Sequence, residues 1–176
     1  MVAISPAIAG TRWWNCPVSR SLVLGIGNLL LTDDGAGVHA ARLIAQHLAG
    51  RSDVQVLDGG TLSFSLEPII AGTERLIVLD AMQLGAPPGT VQRFLDAEVD
   101  QLLRRARLSV HEIGLRDVLE ISRLADSCPR QRALVGIQPE SLDWGTECTA
   151  PVAAALETMS RIALGLLAAW PGHARL

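Results

Sequence analysis

Three short apolar runs, each closed by a polar residue, set the rhythm of this chain: residues 22–27 before Asn28, 54–57 before Asp58, and 76–79 before Asp80. Runs this short and this rich in β-branched residues fit buried strands. Between them the spacing turns helical. Val38, Ala41, Ala45 and Leu48 recur on one face, and Leu66, Ile69 and Ile70 do so more briefly. This βαβαβ succession predicts parallel strands joined by right-handed crossovers. Pro87-Pro88-Gly89 then makes a turn, and residues 90–95 read as a further strand. The connection before it is too short for a crossover, so it is expected antiparallel at the sheet edge. Helices are expected near 99–107 and after His111, the latter with Leu115, Val118 and Leu119 inward and Arg116, Glu120 and Arg123 outward. Residues 133–137 supply the last strand. The final helix opens at Thr149 with Pro151 in its first turn, and carries Val152, Leu156, Met159, Ala163, Leu166 and Trp170 along one stripe. Residues 1–20 have no period and read as an N-terminal extension, leaving one α/β domain over 21–172.

The chemistry concentrates where the first strand hands over to a helix, at Gly25-Ile26-Gly27-Asn28-Leu29-Leu30-Leu31-Thr32-Asp33-Asp34-Gly35-Ala36-Gly37-Val38. Gly25 and Gly27 allow a sharp turn and a close approach. Either Asp33 or Asp34 can cap the helix that follows, which leaves the other carboxylate to point into a cleft. In a parallel sheet the carboxyl ends of the strands face one way, so Asn28, Asp33, Asp34, Asp58 and Asp80 are expected along one rim. Asp58, before Gly59-Gly60, reads equally well as a turn former. Asp80 ends a run apolar enough to be central, where a carboxylate costs desolvation unless something positive, such as a metal, meets it. His111 lies near a helix start, where the dipole disfavours an imidazolium and keeps the ring neutral. A surface or capping role explains a lone histidine there as well. Two carboxylates and one imidazole together make an open mixed O/N site suited to Ni²⁺, Zn²⁺ or Co²⁺.

Composition removes whole classes of function. All 15 basic residues are Arg, and there is no Tyr. Without Lys there is no P-loop and no Schiff-base chemistry, and dehydrogenases of the Tyr/Lys type are excluded. A net charge of −3 with scattered Arg gives no footprint for nucleic acid, and Arg104, Arg105 and Arg107 read as a solvated helix end. The 3 Cys form no CxxC pair, which fits a reducing compartment. No unbroken apolar run reaches the roughly 18 residues of a membrane span, and the start lacks a basic signal segment, so a cytoplasmic protein is expected. His39, which shares a helical face with Arg42 and Gln46, and His173 are expected to be exposed.

The segment 25–38 resembles the opening motif of the [NiFe]-hydrogenase maturation endopeptidases. Leu57-Asp58-Gly59-Gly60-Thr61, Ile77-Val78-Leu79-Asp80-Ala81, Pro88-Gly89-Thr90, Ser109-Val110-His111 and Val135-Gly136-Ile137-Gln138-Pro139-Glu140 resemble further family segments, in the family's order. The resemblance implies a single α/β domain with a twisted, mostly parallel five-stranded sheet and helices on both faces, of the phosphorylase/hydrolase-like kind. It implies an endopeptidase that removes a C-terminal peptide from the hydrogenase large-subunit precursor once nickel is in place. The family's nickel-contacting acid, second acid and histidine fall on Asp34, Asp80 and His111, with nickel supplied by the precursor, and Asp34 and Asp80 are the candidate catalytic carboxylates. Some members carry Glu at the first position, one methylene longer. Either the precursor's nickel polarises the scissile carbonyl while Asp34 or Asp80 acts as general base, or the metal is only a recognition handle. A monomer is expected. Two rivals stand beside this reading: a non-catalytic nickel-dependent checkpoint factor, and a dinucleotide-binding protein, for which the third glycine of the fingerprint is missing at Leu30.

Overall fold

The structure is a computed structural model that describes residues 21–61, 66–104 and 110–170, with the backbone alone described at 110–113. The expected extension 1–20, Arg105, Arg107, His173 and the side chain of His111 lie outside the described residues.

Four parallel strands, β1 (Ser21–Ile26), β2 (Val54–Gly60), β3 (Arg75–Ala81) and β5 (Gln131–Ile137), form the sheet with antiparallel β4 (Val91–Leu95), in the order β2-β1-β3-β5-β4. β4 is an edge strand, as its short connection requires, and it pairs with β5 rather than with β3, which precedes it in the chain. Its exposed Gln92 and Arg93 suit a polar edge.

Alternation along the central strands sorts their side chains onto two faces. Val23, Ile77, Leu79, Ala133 and Val135 join one cluster with α1 (Ala36–His47) and α5 (Ala150–Ala169). Leu22, Leu24, Leu76, Val78 and Leu134 join the other with α2 (Glu67–Ala71), α3 (Ala97–Leu103) and α4 (Val110–Leu124). Each buried Leu, Ile or Val contributes roughly 1.5–3 kcal/mol, so both layers are needed to hold the sheet.

Several boundaries differ from the sequence reading. Ala45 is exposed, and the inner stripe of α1 runs through Val38, Ala41 and Ile44 to Leu48 just beyond its end. Helix α3 stops at Leu103, and α4 begins at Val110, so His111 sits inside its first turn instead of before it. Leu115, Val118 and Leu119 are buried as expected. The stripe of α5 is buried at Val152, Met159, Ala163 and Leu166, and only partly at Leu156 and Trp170. By length and composition α5, 20 residues long, is apolar enough to cross a membrane, a property that counting unbroken apolar runs misses because Glu157 and Arg161 interrupt it. In this fold its inner stripe covers the sheet beside α1.

Candidate active site

Strand order determines where a site can form. From β1 the chain crosses by α1 to β2 on one side, then returns by α2 to β3 on the other side of β1. The helices on either side of β1 thus leave in opposite directions, which makes the carboxyl ends of β1 and β3 the switch point where sheets of this topology bind their ligands. The residues that follow β1 and those that end β3 lie at that edge.

After β1 the backbone turns at Gly27, with φ +138°, and enters a 3-10 turn, Thr32–Gly35, that carries both Asp33 and Asp34. A Cβ on Gly27 would lie 1.9 Å from the carbonyl oxygen of Asp34. On Gly37 it would lie 2.2 Å from the carbonyl of Leu79 and 2.4 Å from that of Ile26. These two contacts close a triangle: the turn bearing Asp34 is pressed onto the end of β1, and the start of α1 onto β3 one residue before Asp80. Only glycine allows both approaches.

Asp34 is half-buried, and its Oδ2 accepts the Asn28 N–H at 2.8 Å. Asn28 in turn accepts the Leu30 N–H on its Oδ1 at 3.0 Å. Asp80 is fully buried, level with Gly136 of β5. The structure therefore brings the turn of Asp34 and the strand of Asp80 together at the carboxyl edge of the sheet. The start of α4 is oriented to the same side. Its last turn ties Arg123 to Asp100, the chain then meets Glu74 before β3 through Arg130, and 15 residues at about 1.5 Å each carry the helix back toward the carboxyl edge. Among the described residues no three His, Cys, Asp or Glu side chains cluster as a metal site; the proposed trio includes His111, whose side chain lies outside them.

The expectation that one carboxylate of the pair caps α1 is not met, since no side chain caps it. Asp33 instead accepts hydrogen bonds from a distant loop: Glu140 N–H at 2.8 Å and Ser141 N–H at 3.1 Å on Oδ2, and Thr149 N–H at 2.7 Å on Oδ1. The Thr149 hydroxyl adds contacts of 3.0 and 2.9 Å. Burial pushes Asp33 up, but the N–H groups of Ser141, Thr149 and Glu140 outweigh it and hold the carboxyl below its ordinary range. Stability from this group is then fully present above the unfolded pKa, about 3.9, and is lost as pH falls through the lower folded value. Denaturation midpoints followed from pH 7 to pH 2.5 should drop below about pH 4, and the acid limb should flatten in Asp33→Asn. An equally steep limb in that variant would remove Asp33 from acid unfolding.

Gln138, absent from the sequence reading as a site-building residue, does the corresponding work on the other wall. Its Oε1 accepts the N–H groups of Leu84 and Gly85 at 2.7 and 3.1 Å, tying the β3–β4 connection to the end of β5. Only the polar residue at the end of that apolar run hinted at it.

Other candidates fall away from the chemistry. Asp58 is exposed, pairs with Arg42 at 3.0 Å and accepts the Gly60 N–H at 3.1 Å, so it behaves as a turn former. His39 is half-buried rather than exposed, and burial together with Arg42 lowers its pKa. Cys148 lies beside the 3-10 turn, its Sγ 4.0 Å from the Thr32 carbonyl, but burial and the charge of Asp33 push its thiol up to about 11. It stays protonated at neutral pH and is no nucleophile.

Comparison with known proteins agrees with this geometry. The sequence model of the hydrogenase maturation protease family matches residues 38–166. A hydrogenase expression/formation protein, HoxM, of Azotobacter vinelandii is 39% identical over 148 residues, covering 84% of this chain and 72% of that protein. The hydrogenase 2 maturation protease of Escherichia coli K12 is 38% identical over 78% of this chain and 84% of its own length. Among solved structures, the hydrogenase maturating endopeptidase HybD from Escherichia coli superposes with a TM-score of 0.78 at 36% identity, over 84% of this chain and 91% of that one. With the sheet order and these matches in agreement, the chain belongs to the hydrogenase maturation protease family.

Proposed function

We propose that this protein is the endopeptidase that removes the C-terminal propeptide of a [NiFe]-hydrogenase large-subunit precursor after nickel insertion. The observation that carries the reading is the pair of glycine-dependent close approaches at the carboxyl ends of β1 and β3, which bring the turn of Asp34 to the strand end of Asp80. Descriptions of the relatives as proteases and endopeptidases weigh against a non-catalytic checkpoint factor. Asp34, Asp80 and His111 would meet the precursor's nickel, whose borderline character suits oxygen and imidazole donors. Of the two candidate general bases, Asp34 and Asp80, we favour Asp34 for taking a proton from an attacking water, because it is half-buried and so reachable by solvent whereas Asp80 is fully buried. We place the protein in the cytoplasm as a monomer that meets no membrane or nucleic acid.

The test is incubation with nickel-loaded precursor, followed by mass spectrometry of the large subunit. His111→Ala should leave the thermal midpoint within the shift that about 1 kcal/mol produces, because His111 is in the first turn of α4, yet abolish processing. Normal processing by this variant would refute its place in the site.

A further inference from the structure

Asp33 is a buried carboxylate for which the proposed chemistry has no use, one residue from the carboxylate that has one. The partners of its side chain lie 107 to 116 positions further along the chain. The turn to which it belongs begins at Thr32 with φ +37°, a left-handed conformation that a β-branched residue adopts only when its surroundings impose it. Those surroundings are the same loop. The Thr32 N–H donates to Gly145 O at 2.8 Å, its hydroxyl donates to Ser141 O at 2.7 Å, and the Asp33 N–H donates to Ser141 O at 3.3 Å. The loop 140–149 therefore decides where the 3-10 turn sits, and with it where Asp34 sits.

We infer that Asp33 is a positioning residue for the peptidase reaction: by fastening loop 140–149 to the 3-10 turn it holds the Asp34 carboxylate at the carboxyl edge of the sheet before substrate arrives. This deepens the reading of Asp34 as a reacting carboxylate and rests on it. A misplacement of about 1 Å can cost on the order of 100-fold in rate, so an unfastened turn matters to the reaction even when the fold survives. Asparagine cannot replace Asp33. Its NH₂ would face the Thr149 N–H if it took the Oδ1 place, or the Glu140 and Ser141 N–H groups if it took the Oδ2 place.

The experiment compares wild type, Asp33→Asn, Asp34→Asn, Thr149→Val and Thr149→Ser on nickel-loaded precursor, well below every melting point, with amide hydrogen exchange on the same preparations. Asp33→Asn should lower kcat roughly 10- to 100-fold with KM changed less than about threefold. Exchange at Glu140, Ser141 and Thr149 should accelerate while β1 and β3 keep their protection. Thr149→Val should lose part of kcat and Thr149→Ser recover it, since only the serine keeps the hydroxyl that donates to Asp33. Wild-type kcat in Asp33→Asn despite faster loop exchange would overturn the inference and leave a merely structural tie, as would a rise in KM alone. If Asp33→Asn does not fold, equal kcat in the two Thr149 variants overturns it. An inactive Asp34→Asn beside a fully active Asp33→Asn rejects positioning alone; full cleavage by Asp34→Asn takes Asp34 out of the chemistry and overturns the positioning inference that rests on it, while the failure of wild type to shorten the precursor rejects the proposed function.

Discussion

Asp34→Asn is expected to keep the fold and to lose precursor processing by about 100- to 10,000-fold, the range that a general base supplies. The asparagine oxygen can still accept the Asn28 N–H, now made at 2.8 Å, so the 3-10 turn keeps its contact with the end of β1. What disappears is the charge. A neutral amide neither takes a proton from water at neutral pH nor attracts a divalent cation as a carboxylate does. Because one hydrogen bond of ordinary strength contributes only about 1 kcal/mol, the melting curve should stay near that of wild type even if the replacement bond is imperfect. Measuring the melt and the mass of the large subunit on one preparation separates the two effects, and complete processing by the variant would take Asp34 out of the chemistry.

Gly27→Ala should do the opposite, damaging fold and activity together. The added Cβ would meet the Asp34 carbonyl at 1.9 Å, and the partner is backbone, which cannot swing aside as a long side chain can. Alanine also tolerates φ +138° poorly. The unfavourable dihedral costs about 1–3 kcal/mol and the forced displacement a further 1–3 kcal/mol or so, a large share of the 5–15 kcal/mol by which a typical domain is stable. Chemical denaturation should show a loss of several kcal/mol, with processing nearly absent in whatever remains folded. A variant as stable as wild type would mean that the turn can retreat from β1 without consequence, and the geometry holding Asp34 beside Asp80 would need another explanation.

Much of the architecture is legible in one dimension because its causes are local. Val23, Ile77 and Val135 lie in runs whose length and branching favour strands, and the period-2 alternation within those runs already assigns opposite faces. The glycines and acids of 25–38 were visible for the same reason: a turn that lets a helix approach a strand needs residues without side chains at neighbouring positions. The helix after His111 is legible in its inward Leu115, Val118 and Leu119, but its start is not, since the inward stripe that reveals the helix begins only at Leu115, five residues beyond the first residue at Val110. Ala45 was misplaced because helical spacing alone accepts several residues on the border of a stripe, and only packing against α5 and the sheet selects Ile44 instead.

The strand and helix succession, the glycine-dependent turn after β1 and the acids at two strand ends follow from residues adjacent or one helical turn apart, and so can be read along the chain. Tertiary structure alone decided which of two neighbouring aspartates does which task. Asp33 and Asp34 are chemically identical and adjacent, and either has the composition of a cap or a ligand. Their difference arises from Glu140, Ser141 and Thr149, whose amides reach Asp33 only after β5 has entered the sheet beside β3 and α5 has docked next to α1. A carboxylate is assigned by what surrounds it, and at this site the surroundings come from more than a hundred residues away.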